Sequence, residues 1–268
     1  MLWKTQSALG LLILAAHPAA VADALPDNTL ITICEDVQEW PPFTYLERDA
    51  NGKRGKVLKG YSIDVLHAIL DKAKVRFQVK LQSWARCLAE GKLGLRYQML
   101  QNASLSKERA RDYLISRPYY SLTSHYFYSK RRFPDGLKLD GLAELYQFKA
   151  CGVWGFNYEH YGYPPGRIDQ DAPNLHTVIK RLHLMSCDLF VEKIEVIEGF
   201  KIVGIDYFSD PDLASAPLPG IEPTPFHFMV PRSYPHAQAL LKLLNTGISE
   251  LEQTGRLQKI WHTHLAPR

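Results

Sequence analysis

Past residue 24 this chain lacks any apolar run long enough to span a membrane, and it has no low-complexity tract or internal repeat. Membrane-spanning and repeat architectures are therefore set aside. Charge of one sign is also missing. Basic residues number 32 and acidic residues 28, a net of +4, and no basic stretch is interleaved with aromatics, so nucleic acid is not an expected partner. Lys130-Arg131-Arg132, the densest basic run, reads as a solvated loop end. Cysteine is scarce, at 34, 87, 151 and 187 only, and never in C-x-x-C spacing, which argues against a zinc site or a thioredoxin-type pair. G-x-S-x-G, H-E-x-x-H and P-loop strings are all absent. The ten histidines are scattered, and His262 and His264 are spaced so that they do not share a helix face. No metal, no cofactor and no catalytic residue is expected.

What is present begins with an address. Lys4 precedes the apolar run 8–16, and Pro18 is followed by the small-x-small sites Ala20-Val21-Ala22 and Ala22-Asp23-Ala24. This reads as a secretory signal over residues 1–24, cleaved after Ala24 or Ala22. The run is roughly half the ~20 residues that a membrane anchor needs. An even cysteine count suits an oxidising compartment. Of three possible pairings, Cys34–Cys87 with Cys151–Cys187 is favoured because each closes within one half of the chain; four buried free thiols are the alternative.

Residues 25–268 suffice for one large or two modest domains. Strands are predicted at 29–34, 76–82, 119–128, 149–153, 187–191 and 226–230, and helices at 61–72, 85–90, 106–114, 175–184, 236–251 and 257–264. Gly155 and Asn157 are placed at the opening of the helix after 149–153. Five prolines within 206–225 read as a connection. Alternating strands and helices indicate α/β sheets, parallel in character.

Several strings carry a resemblance. Trp40-Pro41-Pro42-Phe43-Thr44-Tyr45 followed by Gly60-Tyr61-Ser62-Ile63-Asp64-Val65 resembles the opening of the family 3 periplasmic solute-binding proteins, the polar amino-acid receptors of ABC importers. Ala103-Ser104-Leu105-Ser106-Lys107-Glu108-Arg109-Ala110-Arg111, then Ser116-Arg117-Pro118-Tyr119-Tyr120, is similar to the family's second block. Residues 153–159 resemble its loop at a helix N-terminus, and 244–261 its ending. Each motif is weak by itself; in this order, over nearly all of the chain after the signal, they are specific.

The resemblance implies an α/β, two-lobed type II periplasmic binding protein, with mixed sheets flanked by helices and two hinge strands. Lobe 1 would be 25–121 plus 225–268 and lobe 2 122–224, with hinges at 119–128 and 217–226. The implied ligand residues are Trp40, Trp84, Asn102, Ser104, Arg109, Asn157 and Glu192. Arg109 supplies a planar fork of donors suited to a carboxylate; a surface ion pair with Glu108 or Asp112 is the competing reading. Ser104 is the hydroxyl beside it, and Asn102 lies where its strand approaches the ligand. Trp40 and Trp84 are the two aromatic walls, with core packing as their alternative. Asn157 stands where the family has threonine. Glu192 comes one position before the carboxylate that takes the ligand's ammonium, and is one methylene longer. Gln98, near a family Asp-Ala pair, is expected to affect packing.

The implied function is capture of a small carboxylate-bearing polar solute, an amino acid by preference, in the periplasm. The protein would act as a monomer and deliver to the membrane permease of an ABC importer. Two rivals stand beside it. An enzyme on the same fold, dehydratase-like or lyase-like, would need an acid or base in the cleft, for which Glu192 and Glu195 are placed. A ligand sensor would feed a membrane receptor instead.

Overall fold

The computed structural model describes residues 24–164 and 166–265, so the expected signal lies, but for Ala24, outside the described residues. Two mixed sheets flanked by helices organise the chain. The first sheet has the strand order Arg76–Gln82, Leu30–Asp36, Met99–Ser104, Thr224–Pro231, Tyr113–Ile115, and Tyr120–Leu122 also pairs with Thr224–Pro231. Leu30–Asp36 runs parallel to both neighbours, with Ile33 opposite Val79 on one side and Met99 on the other. Thr224–Pro231 is antiparallel, with Phe226 opposite Ser104. Met99–Ser104 is buried at every residue, as a central strand covered on both faces must be.

The second sheet has the order Ile168–Ala172, Ala150–Val153, Leu189–Lys193, Ser124–Ser129, Leu213–Pro217. Leu189–Lys193 is parallel to Ala150–Val153 and antiparallel to Ser124–Ser129. Helix Leu175–His183 covers it with Leu175, Val178, Ile179 and Leu182, a helical stripe, and is capped by Asn174 accepting from Thr177 N–H at 2.8 Å. On the first sheet Ala237–Gln253 does the same with Leu240, Leu244, Ile248 and Leu251. Gly255, at φ 66°, turns the chain into Arg256–Leu265. No helix among the described residues is long and apolar enough to cross a membrane.

Cys34 is bonded to Cys87 and Cys151 to Cys187, as favoured from sequence. The first ties strand Leu30–Asp36 to helix Trp84–Gly91; the second ties Ala150–Val153 to the segment just before Leu189–Lys193.

Four expectations are corrected. The single strand at 119–128 is two, Tyr120–Leu122 in the first sheet and Ser124–Ser129 in the second, with the chain changing sheets at Thr123. There Thr123 N–H donates to the Glu195 carboxylate at 3.0 Å and its carbonyl accepts from Ile194 N–H at 3.1 Å. The helix at 106–114 stops at Asp112, because Tyr113–Ile115 pairs with Met229–Pro231 instead. Gly155 and Asn157 open a single 3₁₀ turn, Glu159–Tyr161, not a full helix. Within 206–225, Leu213–Pro217 is an edge strand on Ser124–Ser129, a position that tolerates proline. The sequence reading also passed over the hairpin of Tyr45–Arg48 with Arg54–Lys59, strand Ile168–Ala172 and helix Ile194–Gly199.

Candidate functional site

The C-terminal ends of strands in both sheets face one cavity of about 50 Å³. From the first sheet come Glu35 and Asp36, ending Leu30–Asp36, and Asn102 and Ser104, ending Met99–Ser104. Trp40 follows in a loop, Trp84 begins helix Trp84–Gly91, and Arg109 lies in helix Lys107–Asp112. The opposite wall has Phe156, Asn157, Tyr158, His160 and Tyr161 after strand Ala150–Val153, and Val191, Glu192 and Lys193 ending Leu189–Lys193. Crevices beyond strand C-termini are where open α/β sheets bind ligands. All seven residues singled out from sequence line this cavity.

Arg109 is buried, 7 % exposed, and pairs with neither Glu108 nor Asp112; the latter is bonded to Arg111 at 3.1 Å. Ser106 caps its short helix by accepting from Arg109 N–H at 3.1 Å, which fixes where the side chain leaves the backbone. Its guanidinium donates to the Ser104 carbonyl (2.7 Å), Ser104 Oγ (3.3 Å) and, across the cavity, the Gly155 carbonyl (3.1 Å). It lies 5.5 Å from the Trp84 ring centroid. Burial lowers its pKa to about 10, so it remains a cation at neutral pH with only neutral oxygens around it. A buried guanidinium bonded by no acid can pair with an anion.

Asn102 lines the cavity, yet its side chain is occupied. Its Oδ1 accepts from Ser62 Oγ (2.6 Å), Tyr119 Oη (2.9 Å) and Tyr120 Oη (2.9 Å), while Nδ2 donates to Glu35 Oε2 and to Thr44 Oγ1 (3.0 Å). Its backbone is left-handed, φ 54°, a conformation asparagine tolerates better than most residues. Asn102 therefore organises the floor of the site. Asn157 reaches across instead: its Nδ2 donates to Leu105 O (2.7 Å) and Ser104 Oγ (3.1 Å). Beside it, Glu159 accepts from Lys107 N–H at 3.0 Å. Trp40 packs edge-on to Phe156 with centroids 5.6 Å apart, so each wall contributes one ring to the contact.

Sequence reasoning missed six polar residues of the cavity: Glu35, Asp36, Tyr158, His160, Tyr161 and Lys193. Lys193 had a visible signal, since it fills the position where the resemblance puts a carboxylate, immediately after Glu192. Glu35 and Asp36 could have been found from their place at the end of a parallel strand. Glu195, considered as a possible acid, does not line the cavity and instead binds Thr123. Gln98 is a packing residue, accepting from Thr32 N–H at 3.0 Å. His264 bonds Asp64 at 2.7 Å, and among the described residues no group of three or more His, Cys, Asp or Glu could hold a metal.

Burial dominates the electrostatics. It pushes Glu35 up to about 8, Glu192 to about 7 and Asp36 to about 6, and it holds His160 down at about 3 and Lys193 at about 8. Between pH 6.5 and 8 the folded state holds protons on Glu35 and Glu192 that the unfolded chain has already lost. Stability must then fall as pH rises. Asp36 adds a little at the lower edge, while the depressed His160 and Lys193 oppose the trend at the lower and upper edges, so the decline flattens towards pH 8. Calorimetric scans should show the melting temperature declining from pH 6.5 to 8, with a shallower slope in Glu35→Gln. An unchanged slope in that variant would mean Glu35 is ionised in the folded protein.

The family profile of "Bacterial extracellular solute-binding proteins, family 3" matches residues 31–266. No curated protein matches the chain by sequence. Among solved structures, a histidine kinase sensor domain with similarity to periplasmic binding proteins is 22% identical with TM-score 0.70, covering 89% of this chain and 97% of its own. An amino acid ABC transporter substrate-binding protein from Streptococcus pneumoniae, bound to L-arginine, is 20% identical with TM-score 0.68, covering 88% and 94%. The arginine-, lysine-, histidine-binding protein ArtJ from Geobacillus stearothermophilus is 15% identical with TM-score 0.68, covering 90% and 96%. These likenesses establish the two-lobed fold; ligand identity has to come from this chain's own cavity.

Proposed function

Because this chain belongs to the bacterial extracellular solute-binding proteins, family 3, and is a binding protein rather than an enzyme, we propose that it captures a small carboxylate-bearing polar solute. An amino acid is the favoured class, as the names of the solved relatives suggest. Capture takes place in the periplasm, by a monomer that delivers to the permease of an ABC importer. The lobes run 25–121 plus 225–268 and 122–224, and close on the solute by hinge motion. Supporting those limits, the chain leaves the first sheet at Thr123 and re-enters it between Pro217 and Thr224.

One observation carries the reading: a buried guanidinium, ringed by neutral oxygens, facing a cavity between two sheets. Bidentate pairing with a carboxylate would neutralise it and bridge to the opposite wall. The test is a thermal-shift screen of the chain without its first 24 residues against amino acids and other small carboxylates. A solute at 100 times its Kd stabilises the fold by about 2.7 kcal/mol. At least one carboxylate should raise the melting temperature by several degrees, and its primary amide should not. An amide that works equally well would end the proposal. Trp84→Ala, which removes the ring beneath the guanidinium, should weaken binding but keep the preference for carboxylate over amide.

A further inference from the structure

The cavity contains a second buried cation that capture of one carboxylate leaves unused. Lys193 is 3 % exposed, ends strand Leu189–Lys193 and is among the residues lining the same cavity as Arg109. Its Nζ donates to Tyr161 Oη (2.6 Å), Thr224 Oγ1 (2.7 Å) and Ser124 Oγ (2.8 Å), and His160 Nε2 lies 3.3 Å away. Every one of these partners is neutral. Three are hydroxyls, and the imidazole is unprotonated because burial and the adjacent ammonium hold its pKa at about 3. Hydrogen bonds are satisfied; charge is met only through space, by Glu192 and Glu195, neither of which bonds the ammonium.

The acids that share the cavity are engaged elsewhere. Glu35 accepts from Asp36 N–H at 2.8 Å and from the Asn102 amide, and Asp36 accepts from Gln38 N–H at 3.0 Å. Glu192 accepts from Lys193 N–H at 2.8 Å. Each carboxyl is thus held by a backbone or amide donor, while both cations are held only by neutral groups. A buried cation with no directly bonded counter-charge is incompletely compensated, and an anion entering the cavity can bond it directly. The three hydroxyls take all three ammonium protons, so a ligand oxygen bonds Nζ by displacing one of them.

We propose that the solute carries two acidic groups, one clamped by Arg109 and the other set against the Lys193 ammonium. The class is a small diacid, either an acidic amino acid or an amine-free dicarboxylate. This rests on the reading that Arg109 takes a carboxylate. The lysine also disfavours basic amino acids, so the binding preference differs from the arginine-binding proteins that share the fold.

Titration calorimetry on the chain without its first 24 residues, at pH 7 and fixed ionic strength, tests this with matched pairs. L-aspartate and L-glutamate are compared with L-asparagine and L-glutamine, succinate and glutarate with butyrate, and L-arginine is added. Diacids should bind at least tenfold tighter than their single-acid partners, and arginine not measurably. Binding by aspartate or glutamate but not succinate or glutarate identifies an acidic amino acid; the reverse identifies a dicarboxylate. Lys193→Met should weaken diacid binding by about 10- to 100-fold, to the level of the amide, leaving amide affinity within a factor of three. Should that variant not fold, the matched pairs in the parent protein decide alone. Single acids binding as tightly as diacids, or arginine binding well, would overturn the second acidic group while leaving the Arg109 reading intact. Failure of every carboxylate to bind would overturn both.

Discussion

Arg109→Ala should bind the solute about 30-fold to several-thousand-fold more weakly, because the ligand carboxylate then lies desolvated and unpaired, at a cost of about 2–5 kcal/mol. Arg109→Lys should also bind poorly, since an ammonium cannot reproduce the planar fork that reaches Ser104 and Gly155 together. A cleft arginine open to water would leave folding untouched, but here the guanidinium is buried and ties one wall to the other. A modest loss of melting temperature should therefore accompany the loss of binding. Calorimetry with a solute found by screening separates the two effects. If Arg109→Ala binds within a factor of three of the parent, the guanidinium is a structural tie and nothing more.

Removing the Cys34–Cys87 bond by the double change to alanine should destabilise the protein by about 4 kcal/mol, from the chain-entropy relation for residues 53 apart. For a chain of this size that lowers the melting temperature by about 8–16 °C. The bond joins a central strand to helix Trp84–Gly91, whose first residue lies beneath Arg109, so affinity should fall along with stability. Scanning calorimetry of the oxidised parent and the variant measures the first effect, and titration the second. A shift under 2 °C would show that the helix is held by packing alone. Non-reducing peptide mapping that joins Cys34 to Cys151 would contradict the pairing itself.

Much of this fold was legible because its signals are local. Helix Ala237–Gln253 announces itself by Leu240, Leu244, Ile248 and Leu251, and the Lys107–Asp112 helix by Ser106 at its start. What was misread depends on distant partners. Nothing near Tyr113 says that it will pair with Pro231, and nothing within 119–128 says that Thr123 divides two sheets. The site shows the same division. Trp40, Ser104 and Arg109 were found through motif strings, whereas His160 and Tyr161 enter the cavity only because a 3₁₀ turn folds back over Lys193. Asn102 was found by position, but its part as a hub for four hydroxyls belongs to tertiary structure.

The bonds that cross the mouth of the cavity bear on how quickly and how tightly solute is taken up. Asn157 to Leu105, Glu159 to Lys107 and Arg109 to Gly155 all join the walls using protein atoms alone. If the lobes close as proposed, molecules held shut by them admit nothing, and apparent affinity equals intrinsic affinity reduced by the fraction that is open. Strength at the mouth is then a brake on capture as well as a lock on what has been captured. A receptor working at low solute concentration has to keep that brake light, so these bonds, at about 0.5–1.5 kcal/mol net where both partners are neutral and about 1.5–3 where Arg109 or Glu159 takes part, limit how fully the walls close without solute.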